Sequence, residues 1–355
     1  MTLAINIHLP HHEPQQELTD LIIRYFSALA QLHPNHRFIF ISANQWAIDP
    51  LPNIEVIVTG PLPRGSVLRQ YWYNYKLPAL LRKQQADMLF SLDACSLRCR
   101  LPQCLLVTGT SPRSLSKHLV KASRVLALSE LSQEALIKKY GIVPGKISVL
   151  PIAPAPAYQP VSFDNREIVK EKYAEGKEYF LFTGAANTNS NLINLLKAFS
   201  FFKKRQKSNM LLLVAVTSVS AGTDLTKLLA AYKFRSEVKL LNGLQPGELT
   251  QVTAAAYAFV YPVIQDDLLT RPLEAMQSAV PVIVSDRPVA GERFGEGALF
   301  SDPGNFNDIA ANMMLLFKDE DRRKELIAAG LEKLQAAGIS IAADHLWQAI
   351  GKTMK

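Results

Sequence analysis

Residues 258–286 constrain the fold of this chain more than any other stretch of it. Ala258 to Pro262 is a short apolar run of β type, and a polar loop follows from Val263 to Thr270. A helix is expected to begin at Arg271-Pro272, because proline fits the first turn, and a second apolar run covers Val280 to Val284. This order predicts a βαβ unit with a right-handed crossover. Ligands of such units bind beyond the carboxyl ends of the strands, so the loop and the helix start are predicted to face a ligand.

The same alternation of strand-like and helix-like segments runs through both halves of the 355 residues. It predicts an α/β protein with two Rossmann-like, doubly wound parallel sheets. Four prolines between residues 151 and 162 are typical of a semi-rigid linker. Domains are therefore expected at residues 1–155 and 163–337. The terminal helix, 341–354, has a regularly spaced apolar face, and we expect it to pack back on the first domain.

Positive charge is concentrated in the first half of the chain. Residues 1–160 hold 16 Lys and Arg against 9 Asp and Glu, a net charge of +7, whereas the remaining residues hold 23 against 22, a net charge of +1. This asymmetry favours an anionic partner for the first half but does not identify it.

Two other classes of site are disfavoured by the sequence. The first glycine is Gly60, so the glycine-rich turn that a dehydrogenase needs directly after its first strand is missing. Asp319-Glu320-Asp321 has the spacing of a metal-binding pair, but it precedes a charged helix and is interpreted as an N-terminal cap. No metal is expected.

The βαβ stretch resembles the C-terminal signature of the GT-B glycosyltransferases, in particular family 4, the group 1 retaining nucleotide-sugar transferases. Its matching residues are Tyr261-Pro262, Pro272, Glu274-Ala275-Met276 and Pro281-Val282-Ile283. The two acids of the family's E-x7-E pair fall on Asp266 and Glu274. The family's Gly-Phe-Gly has become Asp267-Leu268-Leu269, so the loop that touches donor sugar departs from the pattern.

This resemblance implies two domains facing across a cleft and transfer of a sugar from a nucleoside diphosphate sugar, with retention. It implies a carbohydrate or lipid-linked acceptor, no cofactor and no nucleic-acid partner. The start of the chain lacks the pattern of a signal peptide, so a cytoplasmic protein is expected. The alternative is a degenerate, non-catalytic relative that acts as a binding or scaffold protein.

The phosphate-binding stretch also departs from the family, which places an Arg and a Lys there. Asn189 and Ser190 occupy those two positions, although Gly184 and Asn191 match. Amide and hydroxyl groups at a helix start can still hold a phosphate. Arg271 is the nearby cation that could replace the missing charges, its alternative role being that of a solvated surface residue.

The resemblance thus gives one set of candidate site residues. Glu274 is expected to accept hydrogen bonds from the nucleotide ribose, or else only to complement the helix dipole. Asp266 is the candidate contact to donor sugar. The catalytic candidates are Asp266 and Arg271, and the donor-binding candidates are Gly184, Asn187, Asn189, Ser190, Asn191, Asp266, Asp267, Leu268 and Glu274.

The first half lacks the family's acceptor-side motifs. The loop after the first strand, His11 to Gln16, is not glycine-rich, and the family's His-Asp pair falls near Thr108 to Ser111, where neither residue occurs. His11, His12 and His118 are candidates to face the cleft, or else ordinary surface histidines.

Aromatic and basic residues are interleaved between residues 64 and 83. Trp and Tyr favour the headgroup region of a bilayer, and basic residues are attracted to anionic lipid. These residues predict peripheral association with the cytoplasmic membrane face, the alternative being that the aromatic side chains fill the core.

Overall fold

A computed structural model describes residues 1–8, 16–46, 48, 50–63, 65–109, 115–219, 225–230 and 232–354. The chain forms two compact units. The first unit contains Met1–Ala153 and Ile339–Lys355, and the second contains Pro154–Gly338. The chain therefore passes from the first unit to the second within the predicted linker and returns just before its terminal helix.

The first unit is built on a parallel sheet with the strand order β3-β2-β1-β4-β5-β6-β7. The side chains of its inner strands are almost all buried, because a parallel sheet is covered on both faces. Its strands are β1 (Thr2–Asn6), β2 (Arg37–Ser42), β3 (Ile54–Val58), β4 (Met88–Leu92), β5 (Gln103–Leu106), β6 (Arg124–Ala127) and β7 (Ile147–Val149).

The second unit has a parallel sheet with the order β10-β9-β8-β11-β12-β13. The strands β9 and β10 are added on one side of β8, and the next strand, β11, is added on the other side of β8. The switch point of this sheet therefore lies between β8 and β11. Its strands are β8 (Tyr179–Ala186), β9 (Leu211–Val219), β10 (Val238–Asn242), β11 (Ala258–Tyr261), β12 (Val282–Ser285) and β13 (Ala298–Ser301).

Helices connect these strands. They are α1 (Gln16–Leu32), α2 (Ser66–Tyr71), α3 (Leu77–Lys83), α4 (Leu115–Lys121), α5 (Glu130–Tyr140), α6 (Phe163–Ala174), α7 (Leu192–Gln206), α8 (Leu225–Ala230), α9 (Pro246–Ala254), α10 (Thr270–Gln277), α11 (Pro288–Phe294), α12 (Phe306–Lys318), α13 (Glu320–Gln335) and α14 (Ile339–Met354). The predicted βαβ unit is confirmed as β11, α10 and β12, and the predicted fold class of two parallel α/β sheets is confirmed as well.

Pro78 lies inside a continuous helical run, where a proline is expected to kink or divide the helix. A π-helical turn, Trp72–Lys76, joins α2 to α3 without a break in the helical path. A proline ring would clash with the carbonyl four residues before it, here that of Asn74, and a wider turn relieves this clash.

The terminal helix α14 packs within the first unit. The indole of Trp347 stacks on the His33 ring at the end of α1, with the ring centroids 3.8 Å apart. Leu346 and Ile350 are fully buried on the same helix. By length and composition, Glu320–Met354 is the one helical stretch in the described part of the chain that could cross a membrane. It consists of two helices, α13 and α14, which belong to different units.

The proline-rich segment before α6 is held against the second unit. Gln277 of α10 donates its side-chain amide to the carbonyls of Ala155 (3.0 Å) and Tyr158 (2.6 Å). Tyr158 is buried. Residues 154–162 are therefore part of the second unit, whereas the sequence predicts domains at 1–155 and 163–337 with a linker composition at 151–162.

Candidate functional site

Two loops of the second unit meet where β8 and β11 end. The backbone N–H of Ile264 donates to the carbonyl of Asn189 at 2.8 Å. The side-chain amide of Asn191 donates to the carbonyls of Pro262 (3.0 Å) and Pro303 (2.7 Å). Loops 187–191 and 262–269 therefore form one surface at the switch point, where a doubly wound sheet binds ligands. We call this surface the carboxyl-edge site.

The loop 187–191 is held by a reciprocal cap. The side chain of Asn187 accepts from the Ser190 N–H at 2.9 Å, and the Ser190 hydroxyl donates to the Asn187 carbonyl at 2.6 Å. Ser190 is only 2% exposed, whereas Asn189 is exposed. Of the two positions where the family has cations, only Asn189 therefore presents its side chain to solvent.

Gly184 lies at an irregularity in the pairing of β8 with β9 and has a φ of +153°. A Cβ at this position would lie 3.4 Å from the Phe182 ring. Glycine suits this backbone because other residues rarely adopt such a φ. The bulge redirects the chain into the turn that carries Asn187 and Asn189.

Asp266 organises the second loop. One carboxylate oxygen accepts from the Tyr261 hydroxyl at 2.8 Å, and the other accepts from the N–H groups of Leu268 (2.9 Å) and Leu269 (3.2 Å). Aspartate commonly bonds backbone two residues further on, and its short side chain suits this tight turn. In this structure the carboxylate fixes the loop that would hold donor sugar.

The next three residues, Asp267 to Leu269, complete this loop and are partly or fully buried. Burial raises the pKa of the Asp267 carboxyl, and the nearby Arg293 guanidinium opposes that shift. Arg293 also donates to the carbonyl of Leu268. Leu269 is buried with a φ of +52°, a left-handed conformation at a position where the family has glycine.

Glu274 and Arg271 form an ion pair one turn apart on α10. The guanidinium Nη1 lies 3.0 Å from the Glu274 carboxylate and 3.4 Å from the Tyr158 hydroxyl. Burial raises the pKa of Tyr158, and the Glu274 charge adds to this effect. The Arg271 side chain is 16% exposed, so the interpretation of Arg271 as a solvated surface residue is wrong.

The carboxyl-edge site has the chemistry of an anion and hydroxyl binder. The N-termini of α7 and α10 supply backbone donors next to the two loops, and Asn189 supplies an exposed amide. Arg271 and Arg293 lie on the helices that follow. Among the described residues no group of three His, Cys, Asp or Glu side chains could hold a metal ion.

The first unit carries a second polar cluster that the sequence reasoning missed. Asp93 directly follows β4, has a φ of +52° and is 2% exposed. Its carboxylate accepts from the Thr108 N–H (2.9 Å) and hydroxyl (2.5 Å). The available signal was an acid immediately after an apolar strand.

Some acceptor-side candidates can be placed and others cannot. His118 is half-buried, and its Nδ1 lies 3.1 Å from the Cys95 N–H, so it is not an ordinary surface histidine. His11, His12, Thr110 and Ser111 lie outside the described residues.

Residues 164–333 match the model of the family described as glycosyl transferases group 1. The O-antigen chain mannosyltransferase RfbU of Salmonella typhimurium is 30% identical over 192 residues, which cover 54% of this chain and 50% of the relative. O-antigen chain mannosyltransferase B of Escherichia coli is 25% identical over 220 residues, covering 62% and 58%. The chain spans about half the length of the curated relatives it matches.

Solved structures share the whole fold. A glycosyltransferase from Rickettsia africae superposes with a TM-score of 0.83 at 14% identity, covering 100% of this chain and 98% of the other. Anabaena HepE in complex with UDP and glucose gives a TM-score of 0.76 at 15% identity, covering 99% of each chain. Its two parallel-sheet units give the chain the GT-B fold, and residues 164–333 of the second unit are similar to the group 1 glycosyl transferases.

Proposed function

We propose that this protein is a glycosyltransferase that moves a hexose from a nucleoside diphosphate sugar to a glycan or lipid-linked sugar, with retention of configuration. The observation that carries the proposal is the joining of loops 187–191 and 262–269 through the Ile264–Asn189 hydrogen bond at the switch point of a group 1 domain. The names of the O-antigen relatives support mannose or a related hexose as the sugar.

The donor nucleotide is proposed to bind along the start of α10. Glu274 would accept hydrogen bonds from the ribose hydroxyls, and its pairing with Arg271 holds the carboxylate in position. The complex of Anabaena HepE with UDP and glucose supports a nucleotide sugar as the donor class. Asp266 would set the loop against the sugar through its bonds to Leu268 and Leu269.

The diphosphate is proposed to lie over loop 187–191 and the N-terminus of α7. During transfer the bond between the anomeric carbon and the diphosphate oxygen breaks, and the acceptor hydroxyl bonds to that carbon on the same face. The acceptor proton passes to the departing diphosphate, so the reaction needs no separate base. Preorganised donors aimed at that growing charge lower the barrier, and here the exposed Asn189 amide and the helix N–H groups are proposed to supply them.

Binding at the cytoplasmic membrane face is proposed for the first unit. Trp72 and Tyr73 are buried in its core, but Val67, Leu68, Tyr71 and Tyr75 are exposed on α2 and the π-helical turn, and we call them the 67–75 patch. The Arg98 guanidinium lies 4.4 Å from the centre of the Tyr75 ring. Apolar and aromatic groups next to cations suit an anionic lipid surface. Arg64 lies outside the described residues.

The test is hydrolysis and transfer measured with a panel of nucleoside diphosphate hexoses, with and without a lipid-linked glycan acceptor. We expect turnover with at least one donor and loss of it in Asp266→Ala, with the product retaining the donor's anomeric configuration. If no nucleotide sugar is bound or turned over, the proposal is overturned in favour of a non-catalytic binding protein.

A further inference from the structure

A cavity lies along one face of α7, the helix that begins at the carboxyl-edge site. It has a volume of about 460 Å³ and shares no residue with loops 187–191 and 262–269. One wall is a single stripe of α7 with helical spacing, and the other wall comes from the chain before β10 and from the start of α12. The lining residues are Ile193, Leu196, Lys197, Ser200, Phe201, Lys204, Tyr232, Lys233 and Phe306.

Hydrogen bonds hold the two walls together. The Tyr232 hydroxyl donates to the carbonyl of Leu196 at 2.7 Å and accepts from the Ser200 hydroxyl at 2.8 Å. These bonds fix the segment around Tyr232 against α7, so the cavity is formed before any ligand arrives. A preformed cavity of about 460 Å³ is large enough to accept a small organic molecule.

Three lysines surround an apolar floor in this cavity. Lys197, Lys204 and Lys233 are all exposed, and no acidic residue lines the cavity. Among the described residues none of the three forms an ion pair, unlike the neighbouring Lys203, which is buried and paired with Glu237. The Lys197 ammonium lies 5.9 Å from the centre of the Phe306 ring. Charges of one sign around a concave apolar surface concentrate the field on a bound anion.

We infer that this cavity binds a phosphate or diphosphate ester carried on an apolar or aromatic body. Three ammonium groups match the two or three negative charges of such an ester. The side chains of Ile193, Phe201 and Phe306 match its apolar part, which a free inorganic anion would leave uncovered. The ligand is separate from the donor nucleotide, because the cavity and the carboxyl-edge site have no residue in common.

Binding of 1-naphthyl phosphate, measured by calorimetry on the full chain at low salt, tests this inference. We expect the double variant Lys197→Gln/Lys204→Gln to bind it at least about tenfold more weakly, which corresponds to about 1.4 kcal/mol. The matched control Lys318→Gln/Lys333→Gln removes two lysines from α12 and α13 of the same unit and should bind as the natural protein does. Equal weakening in both double variants, or none in either, would overturn the assignment.

Two further probes establish the ligand chemistry. Inorganic phosphate and uncharged 1-naphthol should each bind more weakly than the ester, and equal binding of either one contradicts a site for an amphiphilic anion. Dihexanoylphosphatidic acid below its micelle concentration distinguishes a lipid phosphate from a soluble aromatic one, and tighter binding of either ester supports the site. The variant Asn189→Ala, at an exposed position of the carboxyl-edge site, should leave the binding of the ester unchanged, since a loss would place the ester in that site.

Discussion

Arg271 and Glu274 are joined by an ion pair of 3.0 Å on the first turns of α10, with only 16% and 5% of their side chains exposed. The Arg271 guanidinium also donates to the hydroxyl of Tyr158, which belongs to the proline-rich segment. Glu274, which falls on the second acid of the family's E-x7-E pair, therefore forms a polar cluster with Arg271 and Tyr158. The cluster fixes the helix start, the segment 154–162 and the proposed ribose-binding carboxylate in one arrangement.

Removal of one member of this ion pair should destabilise the second unit strongly. Arg271→Met leaves the Glu274 charge buried, and we expect a loss of about 3 kcal/mol in the free energy of unfolding, at the low end for a buried pair because Arg271 keeps some exposure. The double variant Arg271→Met/Glu274→Gln should recover part of that loss. Urea unfolding of the natural protein, the two single variants Arg271→Met and Glu274→Gln, and the double variant gives the coupling energy. A loss below about 1 kcal/mol in Arg271→Met would mean that the pair behaves as a surface salt bridge.

Glu274→Ala should also weaken nucleotide binding, by about 1–3 kcal/mol, the range for losing a charged hydrogen-bond partner. Calorimetry with the nucleoside diphosphate alone measures this loss. Glu332→Gln, on the exposed face of α13, is the control and should leave the affinity unchanged. Unchanged affinity in Glu274→Ala would remove Glu274 from the proposed site.

Restoring the family's cations at positions 189 and 190 should have different effects at the two positions. Asn189 is exposed, so Asn189→Arg should fold normally and raise the affinity for inorganic pyrophosphate. Ser190 is buried and closes the cap with Asn187, so Ser190→Lys should destabilise the unit, by more than the cost of about 0.5–2 kcal/mol for losing a cap. Thermal melts and calorimetry on each single variant check both expectations. If Ser190→Lys is as stable as the natural protein, the cap does not hold this loop.

Much of the fold could be predicted because it depends on local pattern. The apolar runs that form β11 and β12, and Pro272 in the first turn of α10, are visible in the sequence without any distant contact. The attachment of the proline-rich segment to the second unit has no such local signal. Its attachment depends on Gln277, which lies more than 100 residues further along the chain.

The position of the site could be predicted from the sequence, but the hydrogen bonds within it could not. The switch-point rule locates loops 187–191 and 262–269, but the bond of Asn191 to Pro303 spans 112 residues and leaves no local signature. Nothing in the sequence indicates that the Asp266 carboxylate accepts hydrogen bonds from the Tyr261 hydroxyl and two backbone N–H groups. The sequence supplies the type of each residue, whereas the fold decides which partners it has.

Acid should selectively weaken a contact between α6 and α9. Glu248 accepts from Lys172 (2.9 Å) and Tyr173 (2.8 Å), and these bonds, with one from the backbone of Gln245, lower its pKa to about 2. In the unfolded chain its pKa is about 4.3, so the contribution to stability is complete above that pH and is lost as the pH falls toward 2. The difference in melting temperature between the natural protein and Glu248→Gln should therefore be largest near pH 6 and should disappear near pH 2. A difference that persists at pH 2 would contradict the assignment.

The last prediction concerns the 67–75 patch and anionic lipid. Val67 is 76% exposed and Leu68 60%, and each basic residue near an anionic surface adds about 1 kcal/mol of attraction. Val67→Ser/Leu68→Ser should reduce cosedimentation with anionic vesicles, and high salt should reduce it in the natural protein. Val120→Ser/Val143→Ser changes two valines elsewhere in the first unit, which are 80% and 68% exposed, and serves as the control. Insertion of the patch into the bilayer is not expected, because its exposed apolar side chains extend little more than one helical turn on either side of Arg69. Equal binding to neutral and anionic vesicles, or binding to neither, would leave the positive charge of the first half without a membrane role.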